Sequence, residues 1–160
     1  MFQIGNKICY PMHGGGIIEA IEEKEVLGES KLYYVVNILQ RNIQVMVPID
    51  KTDRVGMRRI VDPDKLDNVL TTFHDGETDT TIIGNQRHRT NMFKIKSGDI
   101  YECAEVIRDL VRINHKKKLG MTEKNMLDNA RQILISEVTL VKGILPEQAA
   151  ELVDRVINIH

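Results

Sequence analysis

The residues best suited to chemistry in this 160-residue chain are cations at the ends of helical segments. Arg87 and Arg89 open one such segment, and Lys116, Lys117, Lys118 and Lys124 flank a turn around Gly120. Cations at helix ends reach phosphate oxygens without disturbing a core, so the chemistry they support is neutralisation of a polyanion. They belong to a sorted charge pattern. Gly84 to Arg131 holds 11 Arg and Lys against 6 Asp and Glu, while Val61 to Ile83 sets six acids against Lys65 alone, in a chain of net charge −1. A basic segment inside a near-neutral chain points to a local anionic partner, nucleic acid first. Arg108 and Arg112 stand apart. Glu105 and Asp109 lie three residues before them, the spacing of ion pairs within a helix, so they and Arg131 are assigned to the bundle.

Catalytic patterns are missing from the sequence. His13-Gly14-Gly15-Gly16 has the composition of a hydrolase oxyanion loop, but no GxSxG elbow accompanies it, so it reads as a tight turn with glycines at positive φ. There is no Walker A loop and no GxGxxG. Asp75 to Asp79 lacks a metal-binding spacing. Cys9 and Cys103 are isolated from any CxxC or HxxxH pattern and read as reduced core residues. The expectation is a non-enzyme with no cofactor, metal or small-molecule substrate. No apolar run approaches the roughly 20 residues a membrane helix needs, and the first residues do not form a signal peptide, so a cytoplasmic protein without a membrane partner is expected.

The elements that must carry these side chains fall into two kinds. Up to about residue 58 the chain reads as β. Short runs at Gly5 to Tyr10, Ile17 to Val26, Leu32 to Leu39 and Ile43 to Pro48 are separated by turn residues. Strands this closely spaced give a small, strongly bent antiparallel sheet or barrel. Pro48 cannot donate to a ladder, which marks the fourth strand as an edge able to accept a strand from another protein. From Asp62 the period becomes helical, with segments starting near Pro63, Gln86, Ile100, Thr122 and Pro146. Residues 73–84 read as a polar loop. The fold class is therefore α+β in two domains, residues 1–58 and 59–160, the second an all-α helical bundle.

Several stretches together resemble one family. They are Phe2-x-Ile4-Gly5-Asn6-x-Ile8-x-Tyr10-Pro11-x-His13-Gly14, Tyr33-Tyr34-Val35, Val45-Met46-Val47-Pro48, Arg87-x-Arg89-x-Asn91-Met92, Lys96-Ser97-Gly98-Asp99 and Ala104-Glu105-Val106-Ile107-Arg108-Asp109-Leu110. The run Glu123-x-x-Met126-Leu127-x-x-Ala130-Arg131-Gln132-Ile133-Leu134 continues the series. In order and spacing they resemble the CarD-family bacterial transcription regulators. The resemblance implies a Tudor-like N-terminal barrel that binds the RNA polymerase β subunit, with Lys24, Val45, Met46, Val47 and Pro48 at the contact. It implies a helical domain that touches promoter DNA non-specifically at the upstream edge of the −10 region and alters open-complex stability. Arg87, Arg89 and Lys124 match the family's basic DNA-facing places, with Gly84, Asn85 and His88 beside them. Many members carry a tryptophan at the place of Gly84 that wedges into the minor groove. This chain has no tryptophan, and Ile82 and Ile83 are the nearest apolar side chains. The alternative is a polymerase-binding adaptor that barely touches DNA.

Overall fold

The computed structural model describes residues 1–159. Five strands come first: β1 (Lys7–Tyr10), β2 (Gly14–Val26), β3 (Glu29–Ile38), β4 (Ile43–Pro48) and, after a 3-10 turn at Ile49–Lys51 and the short helix α1 (Thr52–Val55), β5 (Arg58–Arg59). They form one antiparallel sheet in the order β4-β3-β2-β1-β5, with a bulge in β2 between Ile18 and Ala20. Ile8, Ile18, Val36, Ile38 and Val47 turn to one face and pack around Tyr34, the core of the sheet module. The Tyr34 hydroxyl is satisfied there. It accepts from the Phe2 backbone N–H at 2.9 Å and donates to the Phe2 carbonyl at 3.2 Å.

The helices follow: α2 (Pro63–Thr71), α3 (Gly84–Lys96), α4 (Ile100–Lys116), α5 (Met121–Lys142) and α6 (Pro146–Asn158). Asp62 caps α2 by accepting from Lys65 N–H, with Pro63 at the first helical position, and Asp99 caps α4 through Tyr101 and Glu102 N–H. Gly143 ends α5 in the left-handed conformation. Apolar residues at helical spacing, among them Leu66, Val69, Ile107, Leu110, Leu134, Val138 and Val153, form a second core. Each buried aliphatic side chain stabilises by about 1.5–3 kcal/mol, which fixes the bundle that presents the basic residues. Residues up to Arg59 pair in the sheet, so a boundary after residue 58 cuts through β5.

Three local expectations are corrected. Gly14, Gly15 and Gly16 are the first residues of β2, and the turn lies just before them. Only Gly14 of the three has positive φ. Their smallness serves packing: a Cβ on Gly15 would come within 2.8 Å of Leu140 Cδ1 and 3.0 Å of the Ser136 carbonyl oxygen. The Gly15 N–H instead donates to Ser136 Oγ at 2.8 Å, tying β2 to α5. Next, α5 begins one residue earlier than Thr122, with Gly120 as its N-cap and no side chain capping it. Finally, Arg108 and Arg112 do not pair with Glu105 and with Asp109 three residues back. Arg108 bridges Asp109 and the Asp75 carbonyl, and Arg112 donates to the carbonyls of His74 (2.7 Å) and Gly76 (3.0 Å). The loop between α2 and α3 is held by these two arginines, because its carbonyls have no helical partners of their own.

Candidate functional site

The outer strand β4 is one end of the sheet, paired with β3 only, from Tyr33–Pro48 to Ile38–Ile43. Side chains alternate along it. Val47 is buried in the sheet core and Val45 packs against that core. Gln44 and Met46 lie on the opposite face, where Gln44 Nε2 donates to Glu19 Oε2 at 2.7 Å. Of the four β4 residues expected at a protein contact, Val47 can offer only backbone groups, whereas Met46 and Pro48 remain half-exposed. Lys24 is not beside them. Met46 pairs with Val35, which pairs with Ala20, so Lys24 lies two strands over and four residues, about 13 Å, further along β2. It is exposed on the β2–β3 ribbon beyond the end of β4, opposite Lys31.

The basic residues gather around the starts of α3 and α5. Helix α3 contains Arg87, Arg89, Lys94 and Lys96 and no acid. Its N-cap is Ile83 and that of α5 is Gly120, and neither start has a side-chain cap. Uncapped helix starts expose N–H donors and the positive end of the helix dipole, an arrangement suited to phosphate. Ile83, Gly84, Arg87, Lys117, Lys118 and Glu123 line an open cleft of about 380 Å³ between them. Exposed Ile83 (68 %) stands at its edge, while Ile82 is half-buried. Gly84 has open space around it but a φ of +59°.

Arg87, expected to face outward, is occupied. Its Nε donates to Glu123 Oε2 at 2.7 Å and its Nη2 to Glu123 Oε1 at 2.5 Å. The Glu123 hydrogen bonds outweigh partial burial and raise the Arg87 pKa. Sequence reasoning missed this pair because 36 residues separate its members. Arg89 and Lys124 are exposed and have no ion-pair partner among the described residues. Asn85 is exposed too, but His88 is half-buried with Nδ1 turned away from solvent and unpaired. A separate cleft of about 450 Å³ brings Asp75, Glu77 and Asp79 together with Glu105 and Asp109 of the basic segment, alongside Lys94 and Arg108. Among the described residues no cluster of His, Cys, Asp and Glu could hold a metal ion. No helix among them is long and apolar enough to cross a membrane.

A part-buried ion pair joins β5 to α5. Arg58 of β5 donates to both Glu137 oxygens and to the Gly98 carbonyl, and Val61 N–H donates to Glu137 Oε2. Cys9 and Cys103 line the same narrow cleft as free thiols. Burial, reinforced by Glu137, pushes the Cys9 pKa up to about 12 and raises that of Cys103, so both are unreactive.

Comparison with known proteins accounts for both modules. Residues 2–61 match the family model described as CarD-like/TRCF RID domain, and residues 68–154 match CarD, C-terminal domain. The chain belongs to the CarD family. It is 48 % identical over 148 residues to a Bacillus subtilis protein named "Putative transcription factor YdeB", covering 92 % of this chain and 97 % of that one. A solution structure of the N-terminal domain of Myxococcus xanthus CarD is 29 % identical, over 37 % of this chain and 79 % of that domain, with a TM-score of 0.32. CarD-family proteins are transcription regulators and not enzymes, and the N-terminal module implies interaction with RNA polymerase.

Proposed function

We propose that this protein binds the β subunit of RNA polymerase through the β4 edge and contacts promoter DNA non-specifically near the upstream edge of the −10 region, altering the stability of the open complex. The proposal includes a division of labour between the sheet module and the helical module, and a cytoplasmic location. The observation that carries it is the unpaired outer edge of β4 in a CarD-family module, since an unpaired row of backbone groups is a ready acceptor for a strand. Exposed Arg89 and Lys124, together with the uncapped starts of α3 and α5, support phosphate contact. Ile83 is the exposed apolar group beside Gly84, the place at which the family resemblance implies a tryptophan.

The test is the lifetime of open promoter complexes with and without the protein. A changed lifetime is expected, abolished by Arg89→Glu with Lys124→Glu while polymerase binding is retained. An unchanged lifetime at saturating protein overturns the DNA half of the reading. A second reading, an adaptor with little DNA contact, is favoured by one observation: the Arg87 guanidinium is taken up by Glu123. The adaptor reading expects polymerase binding with an unchanged lifetime.

A further inference from the structure

The β2–β3 ribbon from Ile21 to Leu32 departs from a local turn rule at its tip, and no burial offsets the departure. Its loop is the two residues Leu27 and Gly28, closed by the Val26–Glu29 pair. Both have positive φ, +53° and +80°. That is the type I′ turn, whose first position favours Asn, Asp or Gly, and where a leucine Cβ crowds its own backbone. Leu27 is 99 % exposed, so no burial offsets that crowding. Further along, Lys24 stands directly opposite Lys31, a like-charge pair that Glu22 and Glu29 flank on the same face, so the unmet demand is concentrated at the Leu27 tip. Val26, 48 % exposed and next to Leu27, adds apolar surface on one face of the ribbon, while Leu32, 52 % exposed, lies on the other. Local conflicts of this kind mark places where something outside the chain supplies the missing interactions.

We infer that Leu27 is an apolar anchor which seats the tip of the ribbon in a hydrophobic pocket on RNA polymerase. The inference rests on the polymerase reading above. The ribbon's charge selects the occupant. Glu22, Glu23, Glu25 and Glu29 outnumber Lys24 and Lys31, which disfavours nucleic acid and leaves a protein surface. Position agrees, because the ribbon runs past the last β3–β4 pair at Tyr33–Pro48 and projects from the same sheet whose edge is assigned to polymerase.

The experiment compares binding of the full chain and two variants to core RNA polymerase, with melting temperatures measured alongside. Leu27→Asn supplies the residue the turn prefers, so the melting temperature rises, while polymerase binding weakens about tenfold or more through the lost apolar contact. Leu27→Met keeps binding within about threefold, since volume and polarity are conserved. Unchanged binding by Leu27→Asn overturns the inference and leaves the β4 reading standing, provided that Met46→Glu still weakens binding. A lower melting temperature in Leu27→Asn also overturns it, because the leucine would then serve the fold. Failure of the unmodified chain to bind polymerase overturns both.

Discussion

Arg58 and Glu137 meet side by side, Nη1 to Oε2 at 2.8 Å and Nη2 to Oε1 at 2.9 Å, and join the last strand of the sheet to the longest helix. The pair is asymmetric. The Glu137 side chain is 2 % exposed and that of Arg58 28 %. Burial alone would lower the Arg58 pKa, but the Glu137 hydrogen bonds and charge reverse this and raise it.

The asymmetry sets the cost of breaking the pair. Arg58→Met strands a buried carboxylate and is expected to destabilise by about 3–5 kcal/mol. Arg58→Met with Glu137→Leu should recover most of that loss, since it removes the stranded charge. Denaturant unfolding of the two variants checks this, and equal stabilities would show that Glu137 needs no partner.

Releasing Arg87 should strengthen DNA binding. Glu123→Gln removes the carboxylate that occupies the guanidinium, adding about one phosphate contact. The slope of log affinity against log salt should then steepen by about 0.9. A titration of promoter fragments across salt concentrations measures it, and an unchanged slope means that Arg87 stays off the DNA.

Of Ile83 and Gly84, Ile83 accommodates an introduced indole better. Ile83 is extended, with φ −134°, and 68 % exposed, so Ile83→Trp should fold and lengthen open-complex lifetime severalfold. Gly84→Trp has room, but its φ of +59° makes it costlier by about 1–2 kcal/mol. Melting curves of both variants, followed by lifetime measurements, separate strain from function.

His13 predicts the sign of one pH effect. Burial, with the Arg41 charge as a smaller contribution, lowers its pKa below the ordinary 6.5, and its Nδ1 is buried without a partner. The unfolded chain therefore binds the proton more readily. The stability His13 contributes is fully present above pH 6.5 and is lost as pH falls through the folded pKa. Melting temperature should drop between about pH 7.5 and about pH 5.5, and less in His13→Gln.

Local punctuation made much of this fold readable. Asp62-Pro63, Asp99, Gly143 and Pro146 mark helix ends by capping chemistry, and each end falls where that chemistry dictates. The edge character of β4 was readable from Pro48. Long-range polar partners were not. Glu137 sits among Leu134, Val138 and Val141 on a helix face that otherwise reads as apolar, a signal that something buried must neutralise it, but only the fold brings Arg58 there from 79 residues away. Arg108 and Arg112 had acids at helical spacing, yet they turned to loop carbonyls 33 to 38 residues off, which no periodicity encodes. At the proposed DNA contact, position along the chain marked Arg89 and Lys124 as exposed cations, but not the partner that holds Arg87.

The close approach of Gly15 to Ser136 has a mechanical consequence. With no side chain on Gly15, the strand packs directly on Ser136 and Leu140, and with Arg58 paired to Glu137 the sheet and the bundle are tied at two points, like the arms of a caliper. Under the proposed function, docking β4 on polymerase then fixes the reach and azimuth of α3 over the duplex. The base pairs it meets are selected by where the enzyme stands rather than by their sequence. Wedging an alanine methyl in at Gly15 would spring the caliper, and the protein would still hold polymerase while missing its mark on the promoter.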